Sequence, residues 1–216
     1  ATTEIYTLSL LDALPISAIG FEASDGLKQV FVLRRSDAQE GVNELLSGVE
    51  IIFYDETKEK KMILDAFELV QKYPLLITYN GDGFDLPYLY NRADKLGIER
   101  EKNPFYMMRD SATLRKGVHL DLYRTMSNRA FQIYVFGQKY TDFSLNSVAN
   151  GVLNEKKIDY GIELNDLSLY QTAKYCQNDA RLTYNLTSFN NDLLMNLLIV
   201  ISRIARMPID DISRMG

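Results

Sequence analysis

The stretch that most constrains the fold is residues 75–89, which reads LLITYNGDGFDLPYL. It starts with an apolar run suited to a short buried strand, and two glycines, Gly81 and Gly83, then break the chain. Asp85 follows where a helix is predicted to begin. Carboxylates at the carboxyl end of a strand often build the sites of α/β folds. The alternative is a surface loop with a helix-capping aspartate. A second acidic motif is needed to distinguish a functional carboxylate from a capping one.

Helices and strands alternate around this stretch. An apolar stripe predicts a helix over residues 57–72, followed by a strand over 75–79 and a helix over 84–96. Residues 117–123 alternate like a strand that presents Asp121. This alternation is typical of the α/β class. Further predictions are a β-hairpin (residues 18–33), an irregular or weakly helical segment (104–116), a helix (123–135), a long helix (166–190) and another apolar helix (193–205).

The composition fits one globular domain and leaves its partners open. The 216 residues are 46% apolar and 25% charged, which is enough for a substantial core. The net charge of -5 disfavours a non-specific nucleic-acid binder, but not an enzyme that grips phosphates through metal ions. Cys176 is the single cysteine, which excludes an internal disulfide and argues against zinc. Together with the lack of long apolar runs, this predicts a cytoplasmic protein without a membrane anchor.

The second acidic motif is YCQND, in which Tyr175 and Asp179 stand four residues apart. On a helix this spacing places the phenol and the carboxylate on one face, although a surface tyrosine beside a solvated aspartate would look the same. Cleavage of a phosphodiester needs an activated water and compensation for developing charge, and divalent ions held by carboxylates supply both. Such a site requires acids from separate segments, and Asp85 with Asp179 meets that requirement.

The two motifs resemble those of the 3′→5′ proofreading exonuclease domain of family B DNA polymerases, particularly archaeal ones. The second exonuclease motif of that family, Asn-x-x-x-Phe-Asp, is matched by Asn80, Phe84 and Asp85, and the third, Tyr-x-x-x-Asp, by Tyr175 and Asp179. Residues 118–124 and 143–158 also look like the family, so the resemblance covers residues 18–216. It implies an α/β, RNase H-like (DEDD exonuclease) fold with a mixed central sheet flanked by helices.

The resemblance also implies a role for each motif residue and an intracellular, nucleoid-associated setting. Two Mg²⁺ or Mn²⁺ ions are expected, with the 3′ end of single-stranded DNA as substrate. Asp121 is expected to be structural, and His119 an ordinary hydrogen-bonded histidine. The implied roles are metal ligands for Asp85, Asp179 and Glu4, orientation of the attacking water for Tyr175, and placement of the terminal nucleotide for Asn80 and Phe84.

The first exonuclease motif of the family, Asp-x-Glu, is incomplete in this sequence. Residues 2–6 align with it only with Thr2 in place of the aspartate, which leaves Glu4. In the family that aspartate bridges both metals, so cleavage is predicted to be severely reduced or absent. Residues 7–16 closely resemble a translated sequencing adapter that has His in place of Leu11. Residues 1–17 are therefore interpreted as adapter-derived sequence with a remnant of the first motif, the alternative being an ordinary apolar helix or loop.

The remaining chain divides into an exonuclease domain, residues 18–190, and a helical connection towards a polymerase palm, residues 191–216. Polymerase motifs are absent from the sequence, so no DNA synthesis is expected, and the other domains of a parent chain would be partners. Two alternatives stay open. One is a catalytically inactive RNase H-like module that binds DNA or acts as a scaffold, and the other is an RNA-directed exonuclease of the wider DEDD group.

Overall fold

The computed structural model describes residues 14–43 and 48–215, which form an α/β protein with three small sheets. The strands of this part are β1 (Ala18–Glu22), β2 (Lys28–Leu33), β3 (Glu50–Tyr54), β4 (Leu75–Thr78), β5 (Phe105–Met107), β6 (Ala112–Leu114) and β7 (Val118–Asp121). β2 pairs antiparallel with β1 and parallel with β3, while β4 and β7 are parallel and β5 and β6 antiparallel.

Six α-helices and four short helical turns complete the described part of the chain. The helices are α1 (Glu59–Val70), α2 (Leu86–Lys95), α3 (Leu122–Ser127), α4 (Leu145–Leu153), α5 (Leu169–Ala205) and α6 (Ile209–Arg214). The turns are 3-10 at Glu56–Lys58 and Leu164–Asp166 and π-helical at Gly81–Asp85 and Phe131–Val135. Over the described residues, none of the helices is long and apolar enough to cross a membrane.

Strand β4 separates two hydrophobic cores. Leu76 packs with the first core, formed by α1 and the β1–β3 sheet around Phe67. Leu75 and Ile77 pack with the second, formed by β7 and α5 around Leu120. Because successive side chains of a strand point to opposite faces, β4 is fixed in register by both cores. The chain after Thr78 therefore leaves the sheet at a fixed place.

The helix predicted from residue 166 begins one turn later, and the helix predicted over residues 193–205 forms the second half of α5. Ser168 caps it by accepting from the backbone N–H of Gln171, whose side chain accepts in return from the N–H of Ser168. The backbone is non-helical at residues 189–192, which kinks the helix. The boundary placed after residue 190 falls within this kink. Leu194 and Leu198, beyond the kink, are nevertheless buried in the second core.

The strands of the described residues do not form the single mixed sheet that was expected. The sheet of β1–β3 and the sheet of β4 and β7 are separate, and residues of both β1 and β4 line one cavity of about 870 Å³. Residues 1–13 lie outside the described residues. This range includes Thr2, Glu4 and most of the adapter-like segment.

Two local predictions were wrong. Residues 104–116 are not irregular but contain the hairpin of β5 and β6, in which the N–H of Met108 donates to the carbonyl of Ser111. Residues 123–135 do not form one helix, since α3 ends at Ser127. Asn128 is extended there, and its side chain accepts from the N–H of Ala130, which turns the chain before the next helical segment.

Candidate active site

The candidate site is built on the turn that follows β4. Strands β4 and β7 run in parallel with Thr78 opposite Asp121, so both end at the same edge. The Asp121 carboxylate accepts backbone N–H bonds from Asn80 (2.7 Å), Asp82 (2.9 Å) and Tyr123 (3.0 Å). Asp121 is therefore the structural residue that was expected, and it anchors residues Gly81–Asp85, here called the site turn.

Two glycines allow the site turn to pass close to its surroundings. A Cβ at Gly81 would lie 2.2 Å from the Thr78 hydroxyl, and a Cβ at Gly83 would lie 2.7 Å from Asn80 Oδ1. The contact at Gly81 excludes a side chain, because the Thr78 Cβ would also lie only 2.6 Å away, whereas the Asn80 amide can rotate away from a Cβ at Gly83. Asn80 adopts the left-handed conformation with φ 63°, which asparagine accepts more readily than most residues. The sequence NGDG therefore favours this tight turn, which brings Phe84 and Asp85 to the cavity.

The cavity brings together four of the predicted site residues. Phe84 and Asp85 reach it from the site turn, and Tyr175 and Asp179 from α5. Phe84 is 48% exposed and stacks on Tyr88 with 6.1 Å between ring centres. Asn80 is exposed as well, and it is not among the described residues that line the cavity. Glu4 lies outside the described residues.

Asp85 carries a perturbed pKa. It is open to solvent on the cavity side, but dense protein behind it desolvates the carboxylate. Desolvation, followed by the charges of Asp121 and Asp179, raises the pKa of Asp85 to about 6, while Lys157 opposes the rise. The perturbed pKa of Asp85 thus reflects desolvation and the charges of two further acids, and a carboxylate perturbed in this way is a candidate functional group.

Lys157 is the functional candidate that the sequence did not reveal. Its Nζ lies 2.7 Å from Asp179 Oδ2 and 4.9 Å from the centre of the Tyr175 ring. Desolvation would lower the pKa of Lys157, but hydrogen bonds to Asp179 and Tyr175 outweigh it and raise the pKa. Desolvation also raises the pKa of Asp179, against the hydrogen bond from Lys157. Residues 143–158, which include Lys157, share in the resemblance drawn from the sequence, but that resemblance implies no role for this lysine.

The residues of the cavity fit one divalent ion. Asp179 Oδ1 is buried and has no hydrogen-bond partner, so one oxygen of the acid pair is available to a cation. Mg²⁺ is commonly held by one or two carboxylates together with water and substrate phosphates. Within residues 14–43 and 48–215, however, no three His, Cys, Asp or Glu side chains converge on one point. A second ion therefore needs a ligand from elsewhere.

Behind the site turn lies His119, which has the structural role expected of it. Thr78 Oγ1 lies 2.8 Å from its Nε2, and the carbonyl of Ala112 lies 2.9 Å from its Nδ1. Burial lowers the pKa of His119, while the Ala112 carbonyl and the Asp82 charge work in the opposite direction. Its ring nitrogens are thus engaged by protein groups, and nothing in its placement directs it towards the cavity.

Comparison with known proteins identifies the family. The model of the exonuclease domain of DNA polymerase family B matches residues 12–148. DNA polymerase 1 of Saccharolobus solfataricus is 38% identical over 201 residues, covering 93% of this chain and 22% of the relative. DNA polymerase 1 of Aeropyrum pernix is 36% identical over 200 residues, covering 93% and 21%. The DNA polymerase of Pyrococcus glycovorans is 28% identical over 216 residues, covering 93% and 25%.

The chain belongs to the exonuclease domain family of the family B DNA polymerases, which confirms the resemblance drawn from the two motifs. It spans about a fifth of the length of the two DNA polymerase 1 relatives.

Proposed function

We propose that the chain is a DEDDy-type, metal-dependent 3′→5′ exonuclease domain that removes nucleotides from single-stranded DNA ends. The observation that carries this proposal is the convergence of Phe84, Asp85, Tyr175 and Asp179 on one cavity, where Asp179 Oδ1 is buried without a hydrogen-bond partner. Two motifs that are far apart in sequence thereby supply two acids, a phenol and an exposed aromatic ring to the same volume. These are the groups that phosphodiester hydrolysis requires.

An RNase H-like fold accommodates this arrangement. Its mixed sheet would have to contain both β1 and β4, and these two strands face the same cavity. One extended segment between them would join the sheets into a single mixed sheet, with β4 and β7 parallel at one end. Glu4 would complete the acidic set only if it reaches this cavity, and a second metal ion would depend on it.

Each side chain has a distinct task in the proposed reaction. A bound divalent ion supplies charge neutralisation at the phosphate and lowers the pKa of water. Asp85 and Asp179 would hold that ion, and the Tyr175 hydroxyl would orient the attacking water. Phe84 offers an exposed ring on which the terminal base can stack. Lys157 adds an ammonium group that can turn from Asp179 to a phosphate oxygen, because its long side chain is flexible.

The proposed setting is a larger polymerase. Residues 18–190 would form the exonuclease domain and residues 191–216 the connection to a palm, as in the polymerases that the chain resembles. Asn80 would then act on the terminal nucleotide from the rim of the site turn, since it is exposed beside the cavity.

The test is cleavage of 3′-labelled single-stranded DNA by the chain with Mg²⁺ or Mn²⁺. Metal-dependent shortening is expected to be slow, because the first acidic motif is incomplete, and it should vanish in the double variant Asp85→Ala, Asp179→Ala. Asp94→Ala, which changes an exposed aspartate on α2, is the matched control and should cleave like the parent chain. Shortening that persists in the double variant, or that needs no metal, would contradict the proposal. An RNA strand of the same sequence separates DNA-directed from RNA-directed cleavage.

A second function is favoured by two specific observations. Thr2 stands where the family has the first acid, and Lys157 pairs with Asp179 where a cation would bind. A catalytically inactive module that binds DNA or braces a polymerase is consistent with both. It predicts no cleavage with either metal but retained binding of single-stranded DNA, measured by fluorescence anisotropy, and this binding should weaken in Phe84→Ala.

A further inference from the structure

Asp82 is a buried carboxylate in the site turn for which the proposed reaction has no use. Its side chain is only 1% exposed, although it lies three residues before Asp85. Its Oδ1 accepts a 2.7 Å hydrogen bond from the N–H of Ala112, at the start of β6. Its Oδ2 is buried and has no hydrogen-bond partner. A buried charge of this kind is costly unless other charges compensate for it.

Two arginines face that oxygen. Arg124 Nε, on α3, lies 3.6 Å from Asp82 Oδ2, and Arg214 Nε, on α6, lies 3.7 Å from it. The Arg214 side chain is 20% exposed, against 38% for Arg124, so the Arg214 pair is the less screened of the two. Arg214 also donates through Nη2 to the carbonyl of Ala112, the residue whose N–H holds the other oxygen of Asp82.

Arg214 is fixed in place by its own helix. Ile212 and Ser213 of α6 are 3% and 2% exposed, and Arg214 Nη1 lies 3.4 Å from Asp210 Oδ2. The last described residue, Met215, accepts a hydrogen bond from Asn128 through its carbonyl. Helix α6 thus packs on β7, α3 and α5, and its Arg214 side chain reaches Asp82 in the site turn.

We infer that Asp82 and Arg214 are positioning residues, through which the docking of α6 sets the geometry of the site turn and hence of Asp85. Asp121 holds the backbone of the turn at Asn80 and Asp82, while Asp82 ties the same turn to β6 and α6. If α6 undocks, the Asp82 carboxylate loses one of its two compensating charges and the turn loses a support. The part of this inference that concerns metal binding rests on the proposed function.

The experiment compares Asp82→Asn, Arg214→Gln, the conservative Arg214→Lys and the double variant Asp82→Asn, Arg214→Gln. Asp82→Asn keeps an acceptor for the Ala112 N–H and removes the charge. Arg100→Gln is the matched control, because the Arg100 side chain is 76% exposed. Hydrogen exchange of the peptide that covers residues 80–86 reports on the turn without any metal, Mn²⁺ titration reports on the site, and thermal unfolding reports on the whole chain.

Arg214→Gln is expected to speed exchange of the turn amides and to weaken Mn²⁺ binding, each by roughly tenfold, as for other residues that support metal ligands. Arg214→Lys should restore much of both effects, and Arg100→Gln should change neither. The double variant should be no worse than the more severe single variant, because both remove the same interaction.

The inference is overturned if Arg214→Gln lowers the unfolding temperature but leaves exchange of residues 80–86 at the rate of the parent chain. It is also overturned if the effects of Asp82→Asn and Arg214→Gln simply add. A parent chain that binds Mn²⁺ no better than Asp85→Asn would instead refute the proposed metal site. Exchange of the turn would still decide whether α6 supports it.

Discussion

The Lys157 ammonium lies 2.7 Å from Asp179 Oδ2 and 4.9 Å from the centre of the Tyr175 ring. One cation thereby contacts both residues of the Tyr-x-x-x-Asp motif. It comes from the segment after α4, for which the sequence resemblance implies no catalytic role. The Lys157 and Asp179 side chains are 26% and 29% exposed, so water screens the pair only in part. A metal ion at the free oxygen of Asp179, Oδ1, would therefore compete with Lys157 for the charge of one carboxylate and be repelled by the ammonium group.

This competition predicts that Lys157→Met strengthens binding of Mn²⁺ in the absence of DNA. The expected gain is roughly fivefold, which corresponds to about 1 kcal/mol for a partly exposed ion pair. Cleavage of DNA should nevertheless decrease, because the variant has no ammonium group for the phosphate. Isothermal titration with Mn²⁺ at about pH 8 measures the first effect. Lys156→Met is the neighbouring control and should bind like the parent chain, and weaker binding by Lys157→Met would refute the competition.

The raised pKa of Asp85 predicts a stability that falls with rising pH. Between the ordinary value of 3.8 and about 6, folded Asp85 keeps its proton while the unfolded chain has released it. The folded state then binds more protons, so the free energy of unfolding decreases as the pH increases through this window. Asp85 is open to solvent, and after allowance for screening we expect a change of about 1 kcal/mol.

Urea unfolding at about pH 4, 5, 6 and 7 without divalent ions measures this dependence. Asp85→Asn should flatten the curve, and the remaining dependence then reflects the raised pKa values of Asp121 and Asp179 without their repulsion from Asp85. At about pH 7 the variant should be the more stable of the two. Adding Mn²⁺ should stabilise the parent chain alone. Parallel curves for the two proteins would show that Asp85 is not perturbed.

The contacts of Asp121 predict that its replacement lowers the stability of the fold. Its two carboxylate oxygens accept three backbone N–H bonds, and Asp121 is only 1% exposed. Asp121→Asn replaces one acceptor oxygen with an amino group that faces these donors. We expect the free energy of unfolding to fall by about 2–4 kcal/mol, since buried donors would be left unpaired.

Denaturant unfolding of Asp121→Asn beside Asp94→Asn tests this expectation. The Asp94 side chain is 65% exposed, and its replacement should change stability by less than about 0.5 kcal/mol. If the two variants unfold at the same denaturant concentration, Asp121 does not anchor the site turn.

Local patterns were sufficient to predict part of this site. The apolar run before Asn80 and the two glycines after it fix a strand and a tight turn, because both are dictated by residues close in sequence. The spacing of Tyr175 and Asp179 places them on one face of α5 for the same reason. These segments are where the predicted and observed elements agree most closely.

The other features of the site depend on contacts between segments that are far apart in the sequence. The burial of Asp82 is decided by Ala112 and by Arg214, and no pattern around residue 82 encodes either partner. Lys157 reaches Asp179 only because α4 and α5 pack together, so its role could not be read from two lysines in an irregular segment. The hairpin of β5 and β6 has strands of three residues each, too short for alternation to reveal.

The missing acid of the first motif gives a prediction of gained activity. In the interpretation of residues 2–6 as a remnant of the first motif, Thr2 takes the place of the family's metal-bridging aspartate and Glu4 remains two residues later. Thr2→Asp should therefore raise Mg²⁺-dependent cleavage of single-stranded DNA by at least about tenfold, because a shared anion lets two cations bind together. Thr3→Asp adds the same charge one residue further on and is the matched control, which should stay at the level of the parent chain. The gain has to disappear when Asp85→Ala is added. Equal activity of Thr2→Asp and Thr3→Asp would mean that residues 2–4 do not supply the first motif.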